Sequence, residues 1–324
     1  MQEVSKDIFY KTVEDWAWVS HTQFDAMCRG IVPNDTLHYF LDNQQPASIG
    51  CVGYVRHKAG LHMLIIPGEC IRGEISHKLI HEFYHNIGQL GYDIVEINSD
   101  YLYSPEFEMG IREAGLLRPV GLFSTTLSKE IDLQKPLVFD KSWQRNLKKN
   151  DQSGLTFQIY RGGDVPDHIL SEYMHIHQEM TSRKQFSDGL DISQLRILLT
   201  DKHFVLGIIR HDEKVIAGMV AFMDEGKRAK SLYSATSIAG RELSASYILY
   251  REMMLYAANE LHIPVFDLGR ISPSSHAKNN LFLFKNGIKG SVVQYNGEWL
   301  WCKRKWMPLA LYFMKKYIWK RVQV

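Results

Sequence analysis

Three strand-length apolar runs, Phe204–Arg210, Val215–Met223 and Ala229–Ala235, follow one another with almost nothing between them. The first connection is His211-Asp212-Glu213-Lys214, and the second carries Gly226. Links this short cannot hold a crossover, so the three runs are neighbours in an antiparallel meander. Around the meander the pattern changes. Leu155–Tyr160 reads as a strand closed by Gly162-Gly163, and helices fill about 166–200. After the meander comes a helix at about 244–261, carrying Ile248, Met253, Leu255 and Ala258. Val265–Leu268 is again a strand, Lys278–Asn286 a helix and Ser291–Tyr295 a strand.

The first third of the chain has a similar texture. Ile49–Arg56 and Leu61–Ile66 flank the turn His57-Lys58-Ala59-Gly60. A helix at about 74–90 lines up Ile75, Leu79, Phe83, Ile87 and Leu90; Gly91 stops it, and Tyr92–Asn98 is a strand. Strand, helix and strand in this order imply an α/β layer arrangement. With 324 residues, 45% of them hydrophobic, there is apolar material for one large or two medium cores. Leu127–Phe139 reads as the link between two lobes, 1–135 and 136–324, and a basic helix follows it at Lys141–Asn150.

The composition narrows the setting. The first ten residues hold Glu3, Lys6 and Asp7 and no apolar run, so no secretory leader is expected. No run of about 18 apolar residues is present, which excludes a spanning helix. Cys28, Cys51, Cys70 and Cys302 lack CxxC spacing and read as free thiols of a reducing, cytoplasmic compartment. Charge is uneven. Residues 303–324 hold seven cations and no acid, whereas the remainder has 31 basic and 36 acidic residues, a balance of −5. The tail interleaves those cations with Trp299, Trp301, Trp306, Tyr312, Phe313, Tyr317 and Trp319. Three readings stay open for it: an interface with anionic membrane, a track for a tRNA backbone, or a final strand and helix docked on the second lobe with its lysines solvated.

Two motifs carry chemistry by pattern. His81-Glu82-Phe83-Tyr84-His85 is HExxH, which sets two imidazoles one helical turn apart beside a carboxylate, as a zinc peptidase requires. The bland reading is a solvated face, since His77, His81 and His85 lie opposite the apolar stripe. A third ligand is missing, with Glu106 and Glu108 placed beyond Pro105 in apparent loop. His175-x-His177 faces two directions on a helix and reads as surface. The second motif is Phe266-Asp267-Leu268-Gly269-Arg270, a strand ending in an acid, a glycine and an arginine, followed by a Ser-Pro-Ser-Ser-His loop and then Phe284-Lys285-Asn286-Gly287. A lysine flanked by Leu281, Phe282, Leu283 and Phe284 suits charge stabilisation or a helix end before a glycine.

From about Thr125 onward these segments resemble the Fem-type (FemABX) aminoacyltransferases. The resemblance rests on Thr126–Leu133 with Trp143–Asn150 and Gly154. It rests further on Ile216–Phe222 with Tyr233-Ser234-Ala235, and on Ser246–Leu249, then Phe266–Gly269, then Phe284-Lys285. The first lobe matches vaguely, through Gly110–Leu117. The resemblance implies two tandem GNAT-like lobes, each a mixed sheet flanked by helices, with a cleft between them. It implies transfer of an amino acid from aminoacyl-tRNA to an amine on a peptidoglycan precursor, assisted by Lys285. Two features depart from the pattern. The second lobe has no heptad hairpin, and the glycine-rich loop of acetyl-CoA-binding GNAT proteins is replaced by Ile238–Ser244 with a single Gly240 before Arg241.

The expectation is therefore an N-acyltransferase with no tightly bound cofactor. Its donor is aminoacyl-tRNA or acyl-CoA, and its acceptor an amine on a cell-wall or surface-glycan precursor. Lys285 and Asp267 are the catalytic candidates, Asp267 to orient the amine or accept its proton. Arg270, Tyr233, Arg145 and Lys148 are the substrate-binding candidates, the cations for phosphate. The protein is expected in the cytoplasm, with peripheral contact at the inner membrane face through the tail. A zinc peptidase and a non-catalytic binding protein of the same fold are the alternatives.

Overall fold

The computed structural model describes residues 1–20, 37–58, 60–120, 126–150, 154–184, 190–272 and 280–318. They fall into two compact units, Met1–Thr126 with Gln294–Val324, and Leu127–Val293.

The first unit opens with β1 (Gln2–Val4), α1 (Lys6–Val13), β2 (Trp18–Val19) and β3 (Leu37–Leu41). It continues through β4 (Ile49–Lys58), β5 (Leu61–Ile66), β6 (Glu69–Ile71), α2 (His77–Gly88), β7 (Ile94–Leu102) and α3 (Pro105–Glu113). β1, β3, β4 and β5 pair antiparallel in that order. β7 then joins β5 in parallel, because the chain passes through β6 and α2 before returning. Ser76 caps α2 through the Leu79 N–H, and Leu79, Ile80, Phe83, Tyr84 and Ile87 are buried on it. α3 corrects the loop expected around Glu106 and Glu108. Ser104 caps it and Pro105 occupies the first turn, where a missing N–H is harmless.

The second unit comprises β8 (Leu127–Asp132), α4 (Lys141–Asn150), β9 (Thr156–Arg161), α5 (Asp167–Lys184), α6 (Ile192–Leu198) and β10 (Phe204–His211). β11 (Lys214–Asp224), β12 (Arg228–Thr236), α7 (Ile238–Glu242), α8 (Ala245–Asn259), β13 (Val265–Arg270) and α9 (Asn280–Asn286) complete it. The expected meander is present: β9, β10, β11 and β12 are antiparallel neighbours. β13 lies parallel to β12, reached through α8, and β8 flanks β13 antiparallel. Two glycines on the central strands admit the covering helices. A side chain at Gly207 would strike Met253 of α8, and one at Gly218 would strike the Tyr173 ring of α5. Adjacent register positions face opposite ways, so each face of the sheet takes one helix.

The two units thus share a plan: an antiparallel meander, a helical crossover to a parallel strand, and an antiparallel strand beyond it. No repeat in the residues announces this. In the first unit the closing strand is β14 (Ser291–Cys302), whose Tyr295–Cys302 pair with Leu102–Ile94 of β7. α10 (Met307–Phe313) follows, and Met307 and Leu311 are buried with Met63, Ile94 and Leu300. The division at 135/136 and the docking of the tail on the second lobe are therefore corrected. The chain returns at Gln294 to pair the open edge of β7 and stays with the first unit. No helix among the described residues is long and apolar enough to cross a membrane. Cys51, Cys70 and Cys302 are in no disulfide, and Cys28 lies outside the described residues.

Glu69 of β6 is fully buried and takes a hydrogen bond from the Ser99 hydroxyl of β7. Burial, helped by the nearby charge of Asp100, pushes its carboxyl up from 4.5 to about 8. The folded state thus holds a proton that the unfolded chain releases, and stability falls as pH rises from about 4.5 to about 8. Thermal melts of Glu69→Gln across that window are expected to lose this one-proton slope and to exceed the wild type at pH 8. An unchanged slope would place the proton elsewhere.

Candidate active site

Asp267 sits in the middle of the second unit's sheet and is fully buried. Register puts Lys230 of β12 opposite it on one side and Glu130 of β8 on the other. Lys230 Nζ lies 3.4 Å and Arg228 3.8 Å from its carboxylate, and Arg228 also reaches Glu130 at 3.5 Å. One carboxylate oxygen accepts from the Ser128 hydroxyl at 2.5 Å and the Gly269 N–H at 2.8 Å. A buried carboxylate needs this many partners, since unpaired it would cost several kcal/mol. With its oxygens engaged in this way, Asp267 ties β8, β12 and the turn after β13 together.

The Asp267–Gly269 turn breaks the ladder with β8 between Asp267 and Arg270. Gly269 has φ +81°, and a side chain there would lie 3.3 Å from the Ser231 carbonyl and 3.4 Å from Lys285 Nζ. Only glycine both adopts this backbone and leaves room for the ammonium. Lys285 ends α9, and its Nζ donates to the Arg270 carbonyl at 2.9 Å. It is 6% exposed. Burial pulls its amine down from 10.5 to about 8, Asp267 opposing and Lys230 adding to the shift.

Aromatic packing fixes α9. The Phe284 ring contacts Trp143, Tyr247 and Tyr250 at centroid distances of 4.8, 5.0 and 5.1 Å. Trp143 Nε1 donates to the Phe284 carbonyl at 2.8 Å, and the Asp140 N–H to the Gly287 carbonyl at 2.8 Å. A side chain at Gly287 would collide with the Trp143 indole. On the other flank, buried Lys129 donates to the Asn286 side chain at 3.0 Å. The Tyr250 hydroxyl meets Ser234 at 3.2 Å and Ser231 at 3.5 Å beside this turn.

Of the six residues singled out in the sequence, Lys285, Asp267 and Arg270 come together. Tyr233 is held through its carbonyl, which accepts from the Tyr173 hydroxyl at 2.9 Å, and Lys285 bonds elsewhere. Arg145 and Lys148 point outward. With Lys141, Gln144 and Lys149 they line an open depression of about 480 Å³ on the exposed face of α4, while Trp143 faces the core. Ser128, Arg228 and Lys230 join the site through strand register. Their signal was a lysine inside the apolar run Ala229–Ala235, whose meaning depends on register.

The remaining motifs are elsewhere. Gly240 N–H is spent on the Ser237 side chain at 3.0 Å in a five-residue helix. Pro273 to His276 of the serine-rich loop lie outside the described residues. His81 and His85 stack edge to face at 5.6 Å in the first unit, and Glu82 lies 4.0 Å from Lys78. Among the described residues no group of three or more His, Cys, Asp or Glu is arranged to hold a metal.

Residues 192–316 match the model of the FemAB family. A sequence search of curated proteins finds no match. Among solved structures, FemX superposes with a TM-score of 0.74 at 10% identity, over 97% of this chain and 99% of that one. The C-terminal domain of an Agrobacterium fabrum protein designated a lysylphosphatidylglycerol synthetase gives 0.64 at 17% identity, over 95% and 96%. A tandem GNAT protein from the clavulanic acid biosynthesis pathway gives 0.56 at 9%, over 93% and 97%. The resemblance read from the sequence holds: the fold is that of the Fem-type and tandem GNAT proteins, an α/β arrangement of two mixed sheets flanked by helices.

Replacing Asp267 by Asn leaves Lys230, Arg228 and Lys285 short of one buried negative charge. The variant is expected to lose about 3 kcal/mol of stability in denaturant titration. A loss below about 0.5 kcal/mol, typical of a surface site, would show that the carboxylate does not hold the cluster.

Proposed function

We propose, from the match of residues 192–316 to the model of the FemAB family, that this chain moves an aminoacyl or acyl group from an activated donor to a primary amine on a cell-wall or surface-glycan precursor. The observation that carries this reading is Lys285: a buried amine at the Phe-Lys position, drawn down to about 8 and held beside a glycine turn. The donor is aminoacyl-tRNA or an acyl-CoA thioester, taken as a substrate, with no cofactor bound tightly.

In this reaction the acceptor nitrogen bonds the donor's carbonyl carbon, and the oxygen gathers negative charge. The C–O or C–S bond then breaks, and the departing alkoxide or thiolate takes up the proton that the amine loses. At neutral pH Lys285 is mostly ammonium. Of its three N–H groups one is given to Arg270, which leaves two for the oxygen on which charge develops. Lys285 is buried and oriented by its bond to the Arg270 carbonyl, so its donors are in place before the step. Asp267 acts through Lys230 and Gly269, fixing the strand end against which Lys285 rests. The Arg270 side chain and the outer face of α4, with Arg145 and Lys148, are suited to phosphates of a tRNA or of a nucleotide- or lipid-linked acceptor.

A second acceptor is favoured by the likeness to the Agrobacterium protein designated a lysylphosphatidylglycerol synthetase. A lipid hydroxyl in place of the amine gives an ester instead of an amide. Alkali separates the two products, since the ester hydrolyses readily and the amide persists.

The test is a donor screen, labelled aminoacyl-tRNA against acyl-CoA, with amine-bearing cell-wall precursors and phosphatidylglycerol as acceptors. Lys285→Ala is expected to lower turnover by about 100-fold or more at an unchanged melting temperature. A folded variant with full turnover would remove Lys285 from the mechanism, and silence with every donor would favour a binding protein.

A further inference from the structure

One exposed face near the C-terminus takes no part in the site. Trp306, Leu309, Phe313 and Tyr317 are 60, 54, 49 and 61% exposed. Their spacing of three, four and four residues keeps them on one side of α10 and of the π-turn Met314–Ile318 that follows it. The inner stripe, Met307 and Leu311, is buried in the first unit's core, with Met314 packed beside it. The inner stripe thus fixes the helix and leaves four large apolar side chains facing out.

Cations frame this face. Lys303, Arg304 and Lys305 are exposed just before it. At the far end Lys316 donates to the Tyr312 hydroxyl at 3.2 Å and lies 5.5 Å from the Tyr312 and Tyr317 ring centres. No acid occurs from 303 to 324, whereas the rest of the chain is acidic by five charges, 36 against 31.

We propose that this face docks on an anionic membrane surface. Trp306, Leu309, Phe313 and Tyr317 enter the boundary between headgroups and acyl chains, and the flanking cations meet lipid phosphates. Three considerations choose this occupant. A stable dimer buries about 800 Å² on each partner, more than four side chains supply, and a twofold contact would bring the same cations together. A nucleic acid backbone would use the cations, and its bases the aromatic rings, yet it has no use for an outward leucine. A bilayer interface uses all three residue kinds, and a helix of this length lies in it without spanning. The surface deepens the acceptor reading, on which its purpose rests: enzyme and a lipid-borne acceptor would share one plane.

The experiment is flotation of the full chain with vesicles of phosphatidylcholine alone or mixed with phosphatidylglycerol, at low and high salt, without donor or acceptor. Binding is expected to the anionic vesicles at low salt and to weaken as salt rises. Leu309→Ser with Phe313→Ser is expected to lower the partition coefficient about 100-fold, roughly tenfold for each side chain withdrawn. Neutralising Lys303, Arg304 and Lys305 to Gln is expected to flatten the salt dependence. Absence of flotation would overturn the proposal, as would flotation indifferent to the serine pair. So would a serine pair that instead abolishes self-association in sedimentation, or tRNA binding, and leaves flotation intact. Flotation with no transfer from any donor would count against the transferase reading and leave the docking face in place.

Discussion

A carboxylate buried in the centre of a sheet sets most of what is distinctive here. Asp267 has no access to water, so its charge is compatible with folding only if the surrounding strands supply partners. β12 supplies Lys230 and Arg228, β8 supplies Ser128, and the strand's own next turn supplies the Gly269 N–H. That last bond bends the strand end at a glycine, which leaves room for Lys285 Nζ to reach the Arg270 carbonyl. Two lysines and an arginine around one acid leave positive charge in excess, with Glu130 balancing Arg228. Burial and Lys230 together pull the amine of Lys285 down to about 8, and Asp267 limits the shift.

The two units use one plan with different electrostatics. In the second, the parallel strand β13 carries an acid compensated by cations. In the first, a fully buried acid, Glu69 on β6, is bonded to Ser99 of the parallel strand β7, and desolvation pushes its carboxyl up to about 8. A repeated topology therefore does not impose a repeated site. The residues at the strand ends decide whether the interior holds charge, and among the described residues it is the second unit that gathers cations around a fully buried acid.

Local features were legible in the residues wherever the responsible contact is local. The meander followed from two turns too short for a crossover, and the basic helix Lys141–Asn150 from its composition and flanks. The place of the tail was not, because β14 finds β7 about two hundred positions away, and nothing in its own residues names that partner. α3 opens on Pro105, which reads as a breaker, although Ser104 before it makes a helix start. The site was half visible. Asp267, Gly269, Arg270 and Lys285 stand out by type, but Lys230 and Ser128 join them only through strand register. Spacing likewise does not reveal how many partners the Asp267 carboxylate already has.

The central claim is that packing around the Asp267 turn holds Lys285 as a buried ammonium whose titration is drawn down to about pH 8. Side-chain NMR titration of lysine-labelled protein reads this directly. The account expects one lysine resonance to titrate near pH 8, apart from the rest, and to vanish in Lys285→Met. Titration of every lysine near the ordinary 10.5, or a low-titrating resonance that survives the substitution, would contradict it.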